Sequence, residues 1–178
     1  KIMITTHFPL INKHGGYFLK LYQQRSYVLA LENAQLMEGM YLDAEENGLS
    51  FRPYGNYLLL GGGGHRTGKA GGGWGTLREF AETYYPNARE IFHWATQDCM
   101  TLDHMPYIGR YGRRTTNLFV ATGFNKWGMT SAMVAAILLR DLVQEKENDY
   151  EAVFSPKRSI WHKQLFYNAC GSTVNLLT

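Results

Sequence analysis

Leu118-Phe119-Val120-Ala121-Thr122-Gly123-Phe124-Asn125-Lys126-Trp127-Gly128-Met129-Thr130 is the stretch on which the fold turns. Leu118 to Ala121 form a short apolar run entering a small-residue turn, which predicts a short buried strand. The turn centres on Gly123, and the next helix starts at Gly128 and runs to Gln144. That helix is apolar nearly all round until Arg140, which predicts that it lies inside the protein. The first turn of such a helix offers free amides and about half a positive charge. Glycines at 123 and 128 let a flat ring approach the backbone. A strand, a tight turn and a buried helix N-terminus therefore suit a ligand with anionic character.

Working outward, Ile2-Met3-Ile4 reads as another short buried strand, left through Thr5-Thr6-His7, Pro9 and Gly15-Gly16. Strands are expected at Ser26–Leu31, Gly39–Leu42, Leu49–Arg52, Tyr57–Leu60 and Ile91–Thr96, with Gly55-Asn56 turning a hairpin. Between them Leu77, Phe80, Ala81 and Tyr84 recur at helical spacing, so a helix is expected over 74–85, stopped by Pro86. The order fits a chain that leaves one domain, builds a second and returns. The expected fold class is α/β (α+β).

With 45% hydrophobic and 14% aromatic residues, the chain can build a sizeable core and is not disordered. A net charge of +3, with only Arg113-Arg114 adjacent among the basic residues, gives no stripe that would track nucleic acid. The longest apolar run, Met129 to Leu139, is too short to span a bilayer. Cys99 and Cys170 make no metal or disulfide framework and read as reduced, partly buried thiols of a cytoplasmic protein.

The glycine tract needs a separate reading. Gly63, four residues, Gly68 and Lys69 match a phosphate-binding loop until Ala70, which lacks the hydroxyl that would hold magnesium. Gly71-Gly72-Gly73 then follows where a helix would have to start, so the nucleotide reading fails. What remains is a loop closing a hairpin, with glycines where another backbone or a ligand comes close. His65 and Thr67 either face a ligand or, as is more usual for a lone loop histidine, are solvated.

Upstream of the quoted stretch, Trp94-Ala95-Thr96, Thr101-Leu102-Asp103 and Pro106-Tyr107-Ile108-Gly109 follow in order. Together with Ala121-Thr122-Gly123-Phe124 they resemble the C-terminal signature of the FAD-dependent amine and amino-acid oxidoreductases, the D-amino-acid oxidase, glycine oxidase and sarcosine oxidase family. Arg25-Ser26-Tyr27, Gly39-Met40-Tyr41, Gly61-Gly62 with His65, and Lys126-Trp127-Gly128-Met129-Thr130 resemble a bacterial subgroup of it. Members of that subgroup carry a C-terminal Rieske [2Fe-2S] domain.

The resemblance implies an internal piece of a longer protein. Residues 1–7 and 104–145 would be an incomplete remnant of the FAD-binding domain, and 8–103 a substrate domain with a mainly antiparallel sheet and a helix. Residues 146–178 would be a linker toward a missing Rieske domain. It further implies FAD and a [2Fe-2S] centre in the whole protein, with neither bound to this piece. The partners implied are an amine or amino-acid substrate and the two missing domains. Thr122, Gly123, Phe124, Asn125, Lys126, Trp127 and Gly128 would face the flavin. Lys126 would stabilise a reduced anionic flavin or be an ordinary exposed lysine, and Trp127 would wall the substrate pocket or simply pack. No metal ligands are expected in this chain.

One departure bears on substrate choice. Relatives place a carboxylate-binding arginine where Asp98 stands, counting back from Asp103. An anion there argues against amino acids and for a cationic substrate, and Arg52 is the candidate replacement unless it is a plain surface residue. The rival reading is a non-catalytic docking or electron-transfer module. An open cavity beside the 122–128 turn would favour the enzyme, and a filled one with an exposed apolar patch the module.

Overall fold

The computed structural model describes every residue except 13, 46, 47 and 178, with side chains through residue 171. In chain order the elements are β1 (Ile2–Ile4), α1 (Tyr17–Lys20), β2 (Leu21–Glu32), β3 (Tyr41–Leu42), β4 (Ser50–Tyr54), β5 (Tyr57–Arg66), α2 (Trp74–Tyr84), β6 (Arg89–Thr101), β7 (Tyr107–Arg110), β8 (Leu118–Thr122), α3 (Gly128–Val143), α4 (Glu151–Phe154) and α5 (Lys163–Leu177). The fold is mixed α/β with mainly antiparallel sheets. Two compact units form: Lys1–Tyr22 with Asp98–Thr178, and Gln23–Gln97.

In the second unit the sheet order is β3-β4-β5-β2-β6. Tyr27, Leu29 and Leu31 of β2 alternate onto one face and meet Leu58 and Leu60 of β5, while Leu77 and Ala81 close the cluster from α2. Leu77 and Ala81 stand four residues apart and so share one side of α2. The hairpin turns between Tyr54 and Tyr57, with Gly55 at a φ of 56°.

The glycine tract is not the loop its composition predicts. Gly61 to Gly64 lie inside β5, where Gly61 pairs with Val28 and Gly62 with Tyr27, and the register then shifts between Tyr27 and Arg25. A Cβ on Gly63 would sit 2.5 Å from the Gly73 carbonyl oxygen, and the Gly73 amide donates to Gly63 O at 3.1 Å. The close neighbour is therefore another stretch of backbone. His65 is also not simply solvated: it is half-buried, and the Tyr27 hydroxyl lies 2.8 Å from its Nε2.

The first unit holds a three-stranded sheet, β1-β8-β7, with β1 parallel and β7 antiparallel to β8. Period-two alternation splits its side chains into two clusters. Phe119 and Ala121 of β8 join Ile108 of β7 beneath Ala135, Leu138, Leu139 and Leu142 of α3. Val120 and Tyr107 point the other way, to Ile4, Tyr17, Leu21, Cys99 and Tyr111. Tyr17, Leu21 and Cys99 are why residues 8–22 and 98–103, expected with the other sheet, belong to this unit.

Helix α3 is buried on one side only. Met129, Met133 and Ile137 are 88%, 66% and 50% exposed, so in this chain α3 is not wholly inside but shows apolar surface on one side. Residues 146–177 carry α4 and α5 within the first unit, where the Asn168 side chain donates to Leu19 O at 2.8 Å. Thr178, the last residue of the expected linker, lies outside the described residues. Among the described residues no helix is long and apolar enough to cross a membrane.

Candidate functional site

The turn after β8 divides into a locked half and an open half. Thr122 is buried, and its hydroxyl donates to His7 O at 2.5 Å. Gly123 has a φ of 69°, and a Cβ there would lie 2.2 Å from Cγ2 of Thr101. Asn125 also takes a positive φ, 51°, and is 8% exposed. Its Oδ1 accepts from the Thr101 amide at 3.0 Å, and its Nδ2 donates to His104 O and Gly123 O, each at 3.0 Å. Its own amide donates to Cys99 O at 3.0 Å. Asn125 is thus a bracket that fixes the turn against the end of β6, and Phe124 is half-buried beside it.

Lys126, Trp127 and Gly128 are exposed. Trp127 is 63% exposed, and nothing lies within 4 Å of where a Gly128 Cβ would be. Trp127 caps α3 without a side-chain hydrogen bond to its first amides. A sixteen-residue helix therefore presents its positive end beside an open glycine. Lys126 is not an isolated cation, since its Nζ contacts Asp98 Oδ2 at 2.8 Å. The structure thus brings two of the three candidate catalytic residues together and leaves Arg52 in the other unit. Asp98 therefore shares its charge with the Lys126 ammonium rather than standing alone in the site.

A cavity of about 690 Å³ adjoins the locked half of the turn, lined by Met3, His7, Thr122, Phe124, Ala136 and Leu139 among others. In the second unit a separate cavity of about 410 Å³ surrounds Arg52. Met40, Tyr41, Leu42 and Trp94 line it together with Arg52, which is exposed. Met40, just before the two-residue β3, and Leu42 within it are 75% and 67% exposed.

Sequence reasoning missed Arg158. Its guanidinium grips Asp103 with two hydrogen bonds, Nε to Oδ2 at 2.7 Å and Nη2 to Oδ1 at 2.8 Å. It also donates to the carbonyls of Pro106 and Met105 and sits 3.8 Å from the Tyr107 ring centroid. Burial works against ionisation of Asp103, but the Arg158 hydrogen bonds and charge outweigh it and hold the carboxyl below its ordinary value. Burial pushes the Tyr107 hydroxyl up to about 12, and that hydroxyl has no hydrogen-bond partner among the described residues. Burial likewise raises the Cys99 thiol, against a weaker contact from Thr122, so Cys99 is a poor nucleophile at neutral pH. Cys170 is exposed, contrary to the expectation of two partly buried thiols. Among the described residues no three His, Cys, Asp or Glu side chains gather as a metal site.

Comparison with known proteins gives this geometry a context. The family described as DAO, FAD dependent oxidoreductase, matches residues 6–142. YhfW of Bacillus subtilis (strain 168), which carries the name Rieske 2Fe-2S iron-sulfur protein, is 41% identical over 165 residues. That match takes in 88% of this chain and 32% of YhfW, so the chain spans about a third of that relative. Glycine oxidase from Geobacillus kaustophilus superposes with a TM-score of 0.66 at 26% identity, over 79% of this chain and 40% of the oxidase. Glycine oxidase from Bacillus cereus ATCC 14579 gives 0.67 at 17% identity, over 91% and 47%.

Proposed function

We propose that this chain, which belongs to the DAO family of FAD-dependent oxidoreductases, supplies the flavin-facing turn and the substrate-facing sheet of an enzyme that oxidises an amine or amino acid. The observation that carries the proposal is the open half of the 122–128 turn. Uncapped helix amides and an unobstructed Gly128 lie there, with Lys126, paired to Asp98, beside them. When bound, a flavin would accept two electrons from the carbon next to the substrate nitrogen.

The residues present fit the ring end of FAD and not its other half. No Gly-x-Gly-x-x-Gly unit stands in this sequence to hold a pyrophosphate on a helix N-terminus. This chain by itself is therefore expected to hold FAD weakly. Thr122, Gly123, Phe124 and Asn125 would shape the turn from behind, and Lys126, Trp127 and Gly128 would meet the ring. Asp98 would act as a positioning residue that orients Lys126. The identity to YhfW supports passage of electrons to a Rieske [2Fe-2S] centre in the whole protein. The open cavity beside the turn favours the enzyme over a purely docking module.

Arg52 is the residue we assign to substrate recognition, because its cavity is lined otherwise by apolar and neutral side chains. A charge-assisted hydrogen bond to a carboxylate is worth about 1.5–3 kcal/mol. In the whole flavin-loaded protein, Arg52→Met is expected to lower kcat/KM for amino acids roughly 10- to 100-fold and to spare simple amines. Asp98→Asn is expected to leave the preference between the two classes unchanged. Equal losses for amines and amino acids in Arg52→Met would refute the assignment.

A further inference from the structure

The first unit contains a third cavity, of about 550 Å³, with no part in the reading above. It lies among α1, the β7–β8 connection and the 156–161 segment, and it is lined by Lys20, Tyr111, Arg113, Lys157, Arg158 and Trp161, with small residues between. No Asp or Glu is among its lining residues. Arg158 is balanced by Asp103, which leaves Lys20, Arg113 and Lys157 as three cations around one opening.

Lys20 distinguishes this pocket from a patch of surface lysines. It is 9% exposed, and its Nζ donates to Pro156 O at 2.8 Å while resting over the rings of Tyr17 and Tyr107. An ammonium has three donors, and one carbonyl and two ring faces are the partners that the fold supplies here. Burial, then the nearby Arg158 and Arg113 charges, lower its proton affinity. A buried ammonium facing two guanidiniums is stabilised by an anion that enters beside it.

We propose that this pocket binds a small oxyanion, the phosphate or carboxylate group of a solute, through Lys20, Arg113 and Lys157. Tyr111 and Trp161 form apolar walls for whatever carries the group; Trp161 is 79% exposed at the rim. The site is independent of the flavin-facing turn, so its existence does not depend on the proposed oxidoreductase activity.

The test is calorimetric titration of the full chain with inorganic phosphate and, separately, acetate, at ionic strength held constant with sodium chloride. Saturable binding of at least one anion is expected. Arg113→Gln with Lys157→Gln, both exposed and so neutral for folding, should weaken it about tenfold or more. Arg25→Gln with Lys69→Gln, on the other unit, should leave it unchanged. Tighter binding of phosphate assigns the site to phosphate esters, and tighter binding of acetate to carboxylates. Absence of saturation with both anions, or equal weakening by the two pairs of substitutions, would overturn the proposal.

Discussion

Replacing Gly123 by alanine is expected to destabilise the first unit by about 3–4 kcal/mol, lowering its melting temperature by roughly 15–25 °C. Two separate terms add. At a φ of 69° any residue with a Cβ meets left-handed strain of about 1–2 kcal/mol. The new methyl would also stand 2.2 Å from Thr101 Cγ2 and 3.1 Å from Leu21 Cδ2, in a place with no room to retreat. Overpacking of this kind costs about 1–3 kcal/mol. The two terms can be separated, because Thr101→Ser removes the clashing methyl and keeps the hydroxyl that lies 3.4 Å from Asn125 Oδ1. Adding it to Gly123→Ala should restore part of the loss and leave the backbone term. Denaturation of the four proteins of this cycle provides the measurement. A Gly123→Ala protein within about 0.5 kcal/mol of wild type would show that the turn is not held as described.

The second large effect falls on the Arg158–Asp103 pair. Their side chains are 14% and 18% exposed, and the guanidinium also satisfies backbone carbonyls on both sides of the contact. Removing one partner of a largely buried pair leaves the other charge without compensation, at about 3 kcal/mol. Arg158→Met should therefore cost more than Asp103→Asn, since it also abandons the carbonyls and the Tyr107 ring. The pH dependence has a definite sign. Because the folded carboxyl lies below its ordinary value of 3.8, the pair contributes fully at neutral pH. That contribution fades as the pH falls below about 4, through the lowered folded value. The stability gap between wild type and Asp103→Asn should accordingly narrow in acid, which urea titrations at pH 7 and pH 3 would measure. A gap that widens toward acid would contradict the pairing.

Where local pattern decides structure, the sequence was readable. The 118–122 strand, the turn and α3 were legible because apolar runs and glycines act within a few residues of themselves. The same holds for α2, whose spacing and Pro86 gave both ends to within a residue. The glycine tract misled, because its place in β5 depends on β2 as partner and on the backbone of 71–73 passing close by. Neither is visible in composition. Lys126 and Asp98 were both singled out, yet their contact spans 28 residues and changes what each can do. Arg158 left no local trace at all, because its partner lies 55 residues earlier. The one-sided burial of α3 was hidden for a different reason. Its apolar residues go all round, so periodicity could not say which side this chain covers.

In the proposed assembly the open half of the 122–128 turn faces a flavin. The most direct measurement is the midpoint potential of that flavin in the whole protein, for wild type, Lys126→Met and Trp127→Phe. A bound flavin absorbance and a drop of about 30 mV or more in Lys126→Met is the expected result, as the reduced anionic ring loses a neighbouring cation. Trp127→Phe, which keeps the charge, should leave the potential near that of wild type. A potential unmoved by loss of Lys126, or a whole protein with no flavin band, would contradict the account.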